Sequence, residues 1–444
     1  MAGVIEQQRF MCGIGAMQTV VAIPRAIPIL HSGPGCGTMV AGFFERSTGY
    51  SGGNTAPCTN FSETDVVFGG EKKLEKIIRH SYKVLESDLQ VVLTGCTSAI
   101  VGDDVKQVTK IFAEEGKPIV FADTPGFKGT NYEAHSLVIN AIIDQFVDRF
   151  SDKSASKDPK LVNVFASIPY QDPFWKGNLE EYKRIIEGIG LKVNILFGPY
   201  SKGTGEWKTI PQANFNILIS PWFGLPVVEH LQEKYNQPFF QFPYIPIGGN
   251  ETSRFLRELT GFANEKGSGI SVENAEQFIK QEEWTFYEEI DNLATFLLEF
   301  RYGLPGFVHI LHDANYVLGM SKFLLHETGI VPKEQFITDK TPVEFQQNIV
   351  NIADGISNKK KIPVYFQPDA GLAQDIIFNA HYESRGLIIG SGWDKEVAQK
   401  KKYDFLSAAL PSPYRLVMTT GYAGYRGGLR LIEDIYNTAL GTYR

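Results

Sequence analysis

Four cysteines stand in a chain of 444 residues, and three of them share a local setting. Cys12 lies in Phe10-Met-Cys-Gly-Ile-Gly15, Cys36 in His31-Ser-Gly-Pro-Gly-Cys-Gly37 and Cys96 in Thr94-Gly-Cys-Thr97. Each has a glycine as immediate neighbour, Gly37 for Cys36 and Gly95 for Cys96 among them. Glycine lets the backbone take positive φ and approach a bulky inorganic group closely. Thiolate is the preferred ligand of iron–sulfur clusters, and amides in such turns can hydrogen-bond the cluster sulfurs. The spacings, 24 residues from Cys12 to Cys36 and 60 from Cys36 to Cys96, fit neither a zinc ribbon nor a ferredoxin run. Free cysteines are also small apolar side chains that bury readily. Residue type and spacing leave ligation and plain burial both open.

The other chemistry-bearing residues have plainer readings. Cys58, closing Gly52-Gly-Asn-Thr-Ala-Pro-Cys58, reads as an unligated loop thiol, with an extra or exchangeable cluster ligand as the sharper idea. His31 reads as a structural hydrogen-bonding group, because thiolates already supply soft ligands. His309 and His312 lie three apart at a predicted strand end and so point to opposite faces, which argues against a metal pair. Asp103 and Asp104 open a predicted helix, where carboxylates favour the positive end of the dipole, and a contact with a partner or electron donor is the alternative. Gly33–Gly37 is no phosphate loop: no GxxxxGK[ST] occurs, and the single Gly-Lys pair, Gly116-Lys117, lacks its flanking residues. GxGxxG is missing after a strand as well. The chain is expected neither to hydrolyse ATP nor to bind NAD.

Short apolar runs alternate with helical patterns and must position these residues. Strands are predicted at Ala26–Leu30, Gln90–Thr94, Pro118–Ala122, Leu161–Phe165, Val193–Phe197, Asn216–Ser220, Phe307–Leu311, Ile362–Phe366, Gly386–Ile389 and Tyr414–Met418. Most are apolar throughout, the mark of strands buried on both faces of a parallel sheet. Between them lie amphipathic stretches such as Glu71–Leu85, where Leu74, Ile77, Ile78 and Leu85 form one stripe and the lysines read as solvated. The pattern is that of a doubly wound α/β protein, in which ligands sit beyond the carboxyl ends of the strands. Cys36 and Cys96 both follow such ends. The polar stretch Ser151–Lys160 reads as a linker, and the charged helix Asn274–Arg301 ends at Tyr302-Gly-Leu-Pro-Gly306. Three α/β domains are therefore expected, over residues 1–155, 156–302 and 303–444.

Composition bounds the function. With 43 Lys+Arg against 50 Asp+Glu the net charge is −7, which argues against a generic nucleic-acid binder. Four cysteines in this length make no secreted disulfide framework. The start, MAGVIEQQRFMCG, has no signal-peptide pattern, and no apolar run is long enough to span a membrane. A cytoplasmic protein is expected.

At its cysteines the sequence resembles the component 1 family of nitrogenase and nitrogenase-like reductases. The resemblance rests on the first Cys-Gly turn, His31–Cys36, Glu63-Thr-Asp-Val-Val-Phe-Gly-Gly70 and Thr94-Gly-Cys-Thr-Ser-Ala-Ile-Val-Gly-Asp-Asp104. Asp123-Thr-Pro-Gly-Phe-Lys-Gly129 and Gly421-Tyr-Ala-Gly-Tyr-Arg-Gly-Gly-Leu429 complete it, in the family order and over nearly the whole chain. The resemblance implies three Rossmann-like domains, each a mainly parallel sheet flanked by helices. It implies an anaerobic oxidoreductase of α2β2 build, whose [8Fe-7S] P-cluster is shared between subunits; a [4Fe-4S] cluster is the simpler alternative. By position Cys12, Cys36 and Cys96, with Gly37 and Gly95 beside them, correspond to this chain's half of the site. The implied partners are a homologous α-type subunit and a separate ATP-dependent [4Fe-4S] iron protein that donates electrons. No cysteine follows Cys96 and the last histidine is His381, so the ligands by which α-type chains hold a catalytic cofactor are missing. That indicates the β-type, electron-relaying subunit. Asn60–Lys73 looks α-like, and only 11 residues precede Cys12, features that suggest a divergent nitrogenase-like reductase. A cofactor-assembly scaffold without turnover is the second reading, and a homodimer with a simpler cluster using Cys58 the third. Dinitrogen, a thioether carbon–sulfur bond or a tetrapyrrole double bond is the expected kind of substrate.

Overall fold

The apolar runs pair into three separate sheets in the computed structural model, which describes residues 14–39, 56–300, 303–357 and 361–441. The first sheet holds β1 (Ala26–His31), β2 (Leu89–Thr94) and β3 (Ile119–Ala122), in that order. The second holds β4 (Asp158–Phe165), β5 (Lys192–Asn194), β6 (Ala213–Ile219) and β7 (Phe239–Phe242), in the order β5-β4-β6-β7. The third comprises β8 (Phe307–His312), β9 (Val331–Pro332), β10 (Gln335–Ile337), β11 (Val364–Phe366), β12 (Gly386–Gly390) and β13 (Asp404–Ser407). Its order is β11-β10-β8-β12-β13, with β9 beside β8. The pairings are parallel. Parallel strands need crossover helices, and these cover the faces of the sheets, as an α/β fold requires.

The helix Glu71–Val84 shows how pattern becomes packing. Leu74 and Ile78, four residues apart, are fully buried against Ile29, Val92, Val108 and Phe112, while its lysines face outward. Each such side chain contributes roughly 1.5–3 kcal/mol of burial. Asp104 caps the next helix, Val105–Glu114, by accepting the Gln107 N–H at 2.9 Å. The larger apolar core runs without a break through residues of all three sheets. Side chains also tie the second sheet to the third: Trp222 Nε1 donates to Asp339 at 3.0 Å, and Asn178 Nδ2 to the Tyr316 hydroxyl at 2.6 Å. None of the described helices is long and apolar enough to cross a membrane.

Several sequence expectations differ from the structure. Tyr414–Met418 is irregular, and the last strand is Asp404–Ser407 instead. Pro411 and Pro413 interrupt the chain just before that run, and Arg415 is drawn away to Asp434 and Tyr422. Leu416 and Met418 stay exposed. The stretch read as a linker ends earlier, because Asp158 already pairs with Ala213 at the start of β4. The short strands β7 and β10 carry too few residues for a pattern to show.

The helix Asn131–Ile142 packs on Ile14–Val21, where Thr19 Oγ1 lies 2.8 Å from His135 Nδ1. Burial pushes the His135 imidazole down from 6.5 to about 3, so it is neutral in the folded protein. The unfolded chain takes up the proton first. Stability is therefore whole above pH 6.5 and declines as pH falls from 6.5 toward 3, by up to about 1.4 kcal/mol per pH unit. Urea midpoints measured across that window should fall less steeply for His135→Gln than for the wild type. Parallel profiles would contradict the assignment.

Candidate functional site

Two adjacent parallel strands deliver two of the thiols to one sheet end. His31 of β1 pairs with Thr94 of β2 in register, and both strands stop there. Cys36 follows in a helical turn over residues 34–39, while Cys96 is the first residue of the helix Cys96–Val101. The Gly95 N–H donates to His31 O at 3.0 Å, and Ser98 Oγ donates to the same carbonyl at 2.6 Å. A Cβ on Gly95 would stand 2.2 Å from Ser32 Oγ and 2.5 Å from Ser32 Cβ. Glycine here is a condition for the two loops to touch.

The third strand adds a loop that the cysteine pattern did not point to. The Gly126 N–H donates to Cys96 Sγ at 3.2 Å, and Thr94 Oγ1 donates to Asp123 at 2.7 Å. Lys128 pairs with Asp123 on the outer side. The clue lay in Asp123–Gly129 itself, a Pro-Gly loop directly after a predicted strand. Backbone donors to a cysteine sulfur tune any iron bound to it.

Cys58 lies beside the Cys36 turn. It bridges Leu30 at the edge of β1, and a Cβ on Gly37 would be 3.5 Å from its sulfur. Burial pushes the Cys58 thiol up, and the neighbouring Cys36 adds to the effect, against the Asn60 N–H donated to its sulfur. Cys36, Cys58 and Cys96 are all free and half-buried. Cys12 lies outside the described residues. Among the described residues no three His, Cys, Asp or Glu side chains converge as a metal centre. Free thiols, a backbone donor aimed at one of them, and a Gly35 that no described residue crowds suit a thiolate-held cluster.

The histidines and acids behave structurally. His31 is fully buried, with Nε2 2.9 Å from Asp103 and Nδ1 3.3 Å from Thr59 Oγ1. Burial pushes its imidazole below the ordinary value, against the pull of Asp103. Asp103 also accepts the Gly70 N–H at 3.0 Å, locking the Glu63–Gly70 segment to the site. His309 Nδ1 faces Glu334 O at 3.1 Å and His312 Nε2 faces Ala408 O at 3.2 Å, so the two histidines serve different neighbours.

Several large apolar side chains stand exposed on the segments around the thiols. Phe68 is 83% exposed, Ile100 76%, Val67 72%, Phe127 62% and Met39 58%. Each sits on a segment that carries a thiol or packs against one. Apolar side chains exposed in such numbers are a common feature of protein interfaces.

Parallel sheets flanked by helices, with free thiols in the loops where two neighbouring strands end, define an α/β protein of the doubly wound class. The chain belongs to the nitrogenase component 1 type oxidoreductases, whose family model matches residues 12–440. It is 23% identical to a nitrogenase molybdenum-iron protein beta chain from Clostridium pasteurianum, over 96% of this chain and 91% of that one. It is also 23% identical to the nitrogenase iron-molybdenum cofactor biosynthesis protein NifE from Methanococcus maripaludis, over 99% of this chain and 84% of that one. The solved structure "Nitrogenase Cp1 at pH 6.5" shares the fold, with a TM-score of 0.78 and 20% identity. It covers all of this chain and 94% of its own.

Proposed function

We propose that this chain is a β-type subunit of a nitrogenase-like oxidoreductase, organised as domains 1–155, 156–302 and 303–444. Cys12, Cys36 and Cys96 hold its half of an [8Fe-7S] cluster at the interface with a homologous α-type subunit, in an α2β2 assembly. Such a cluster, when bound, supplies low-potential one-electron chemistry. Electrons come from a separate ATP-dependent iron protein and serve multi-electron reduction at a site held mainly by the α-type partner. The chain's own residues have definable tasks. Gly95 lets the Cys36 and Cys96 loops meet, the Gly126 N–H steadies the Cys96 sulfur, and His31 with Asp103 holds the loop bases without spending a thiol.

The observation that carries this reading is the delivery of Cys36 and Cys96 to one sheet end beside exposed apolar side chains. Half a ligand set beside exposed apolar side chains calls for a second subunit. Anaerobic co-purification with the neighbouring gene's product, followed by iron and sulfide counts and EPR, tests it. One shared cluster per pair is expected; iron bound by this chain alone would defeat it. Phe68→Asp combined with Phe127→Asp should weaken association by about tenfold or more, since each places a charge in a desolvated contact. Association unchanged in that double variant would move the interface elsewhere.

The scaffold reading keeps one specific support, the likeness to NifE across 99% of this chain. A purified pair that releases its cluster to an apo-enzyme, and supports ATP consumption by the iron protein without forming product, would favour it.

A further inference from the structure

The carboxyl ends of the second and third sheets face each other across a small enclosed space. The loop after β4 brings Gln171 and Asp172 to it and the segment after β8 brings Asp313 and Asn315, with Tyr132 and Tyr316 in the wall. Its volume is about 10 Å³, room for one water-sized particle. In open α/β sheets the crevice beyond the carboxyl ends is where ligands bind.

The donors around this space are oxygens, and several lack partners. Gln171 Oε1 and Asn315 Oδ1 are fully buried with no hydrogen-bond partner among the described residues, on residues only 6% and 3% exposed. An orphaned buried acceptor costs about 1–3 kcal/mol. Asp172 Oδ1 accepts the Phe174 N–H and the Tyr316 hydroxyl, each at 2.8 Å, and its Oδ2 accepts only Asn178 Nδ2 at 2.9 Å. Asp313 Oδ1 caps the Tyr316 N–H at 2.9 Å. Its Oδ2 lies 3.3 Å from His312 Nδ1, but that nitrogen already accepts the Asp313 N–H at 2.8 Å. The His312 Nε2–H donates to Ala408 O at 3.2 Å. Among the described residues neither Asp172 nor Asp313 is ion-paired with a lysine or arginine. A third buried carboxylate nearby, Asp339, is already served by Thr341, Ala314 and Trp222.

We propose that this junction binds one small hard divalent cation, of the Mg²⁺ or Ca²⁺ class. The Asp172 and Asp313 carboxylates and the amide oxygens of Gln171 and Asn315 ligate it. Such ions take oxygen ligands, carboxylate and amide alike. A single water satisfies two acceptors but leaves two buried carboxylates with no lysine or arginine beside them among the described residues. Softer metals choose thiolate or imidazole, and the nearest imidazole already has both nitrogens engaged. The ion pins the β4 loop to the β8 loop and so couples two sheets.

Crystals of the full chain, stripped with chelator and soaked in Mn²⁺ alone, should show one anomalous peak in this junction. Equilibrium dialysis should show one Mn²⁺ per chain, displaced by Ca²⁺ or Mg²⁺ and bound about tenfold or more weakly in Asp172→Asn. Asn315→Ala, which touches no charge, should weaken the same site and serves if Asp172→Asn does not fold. A junction holding water density without anomalous signal overturns the proposal. So does Mn²⁺ binding that both variants leave unchanged.

Discussion

Cys36→Ala and Cys96→Ala should each strip the shared cluster from the assembled pair, taking iron content and the EPR signal to background. Both thiols are half-buried at a sheet end, so their removal leaves the interiors of the three sheets intact. Far-ultraviolet circular dichroism and the urea midpoint should therefore change little while the iron disappears. Substrate reduction should fall by more than the 10- to 100-fold typical of changes around, rather than in, a ligand set. Cys58→Ser sharpens the result. Its sulfur lies against Gly37 and already accepts the Asn60 N–H, so the iron count should stay at the wild-type level in this variant. A change confined to the oxidised-state spectrum would make Cys58 an exchangeable ligand. Iron lost as completely as in Cys36→Ala would favour a simpler cluster that this chain holds through Cys58.

The second large effect is expected far from any thiol. Gly177 lies in the helix Trp175–Gly188, where a Cβ would stand 2.3 Å from Thr420 C, 2.4 Å from Gly421 N and 2.5 Å from Thr419 O. All three atoms are backbone and cannot rotate aside. The next residue closes the joint, as Asn178 Oδ1 accepts the Tyr422 and Ala423 N–H groups at 2.8 and 2.9 Å. Helix propensity favours alanine over glycine by roughly 1 kcal/mol. Overpacking costs about 1–3 kcal/mol, and two strained buried hydrogen bonds add about 1 kcal/mol each. The penalty wins, and Gly177→Ala should destabilise the chain by about 2–4 kcal/mol, read as a lower urea midpoint. Gly261→Ala is the natural comparison. That glycine lies in the helix Gly248–Glu265 with nothing within 4 Å of its would-be Cβ, so alanine there should stabilise slightly. Equal midpoints for the two variants would contradict the account.

The glycine-rich Gly421–Leu429 run is legible in sequence as a motif, yet its physical task is invisible there. It brings backbone against Gly177, 244 positions upstream of Gly421. The reverse failure occurs at Tyr414–Met418, where an apolar run looks like a strand but two prolines and the pull of Asp434 on Arg415 keep it out of the sheet. Local pattern states what a segment prefers; distant partners decide whether it is allowed to follow that preference.

For β1, β2 and the helix Glu71–Val84, composition and period were enough, because burial on both faces of a parallel strand, or on one stripe of a helix, is written directly into residue order. The glycine beside Cys96 likewise announces a close approach, and Gly95 does abut Ser32. Three things belonged to tertiary structure alone: the Gly126 amide on Cys96, the His31–Asp103 tie to Gly70, and the meeting of Asp172 with Asp313. Each joins residues at least 30 positions apart. A hydrogen bond or a charge cluster at such separations carries no periodicity along the chain, and only the packing of whole sheets brings its members together.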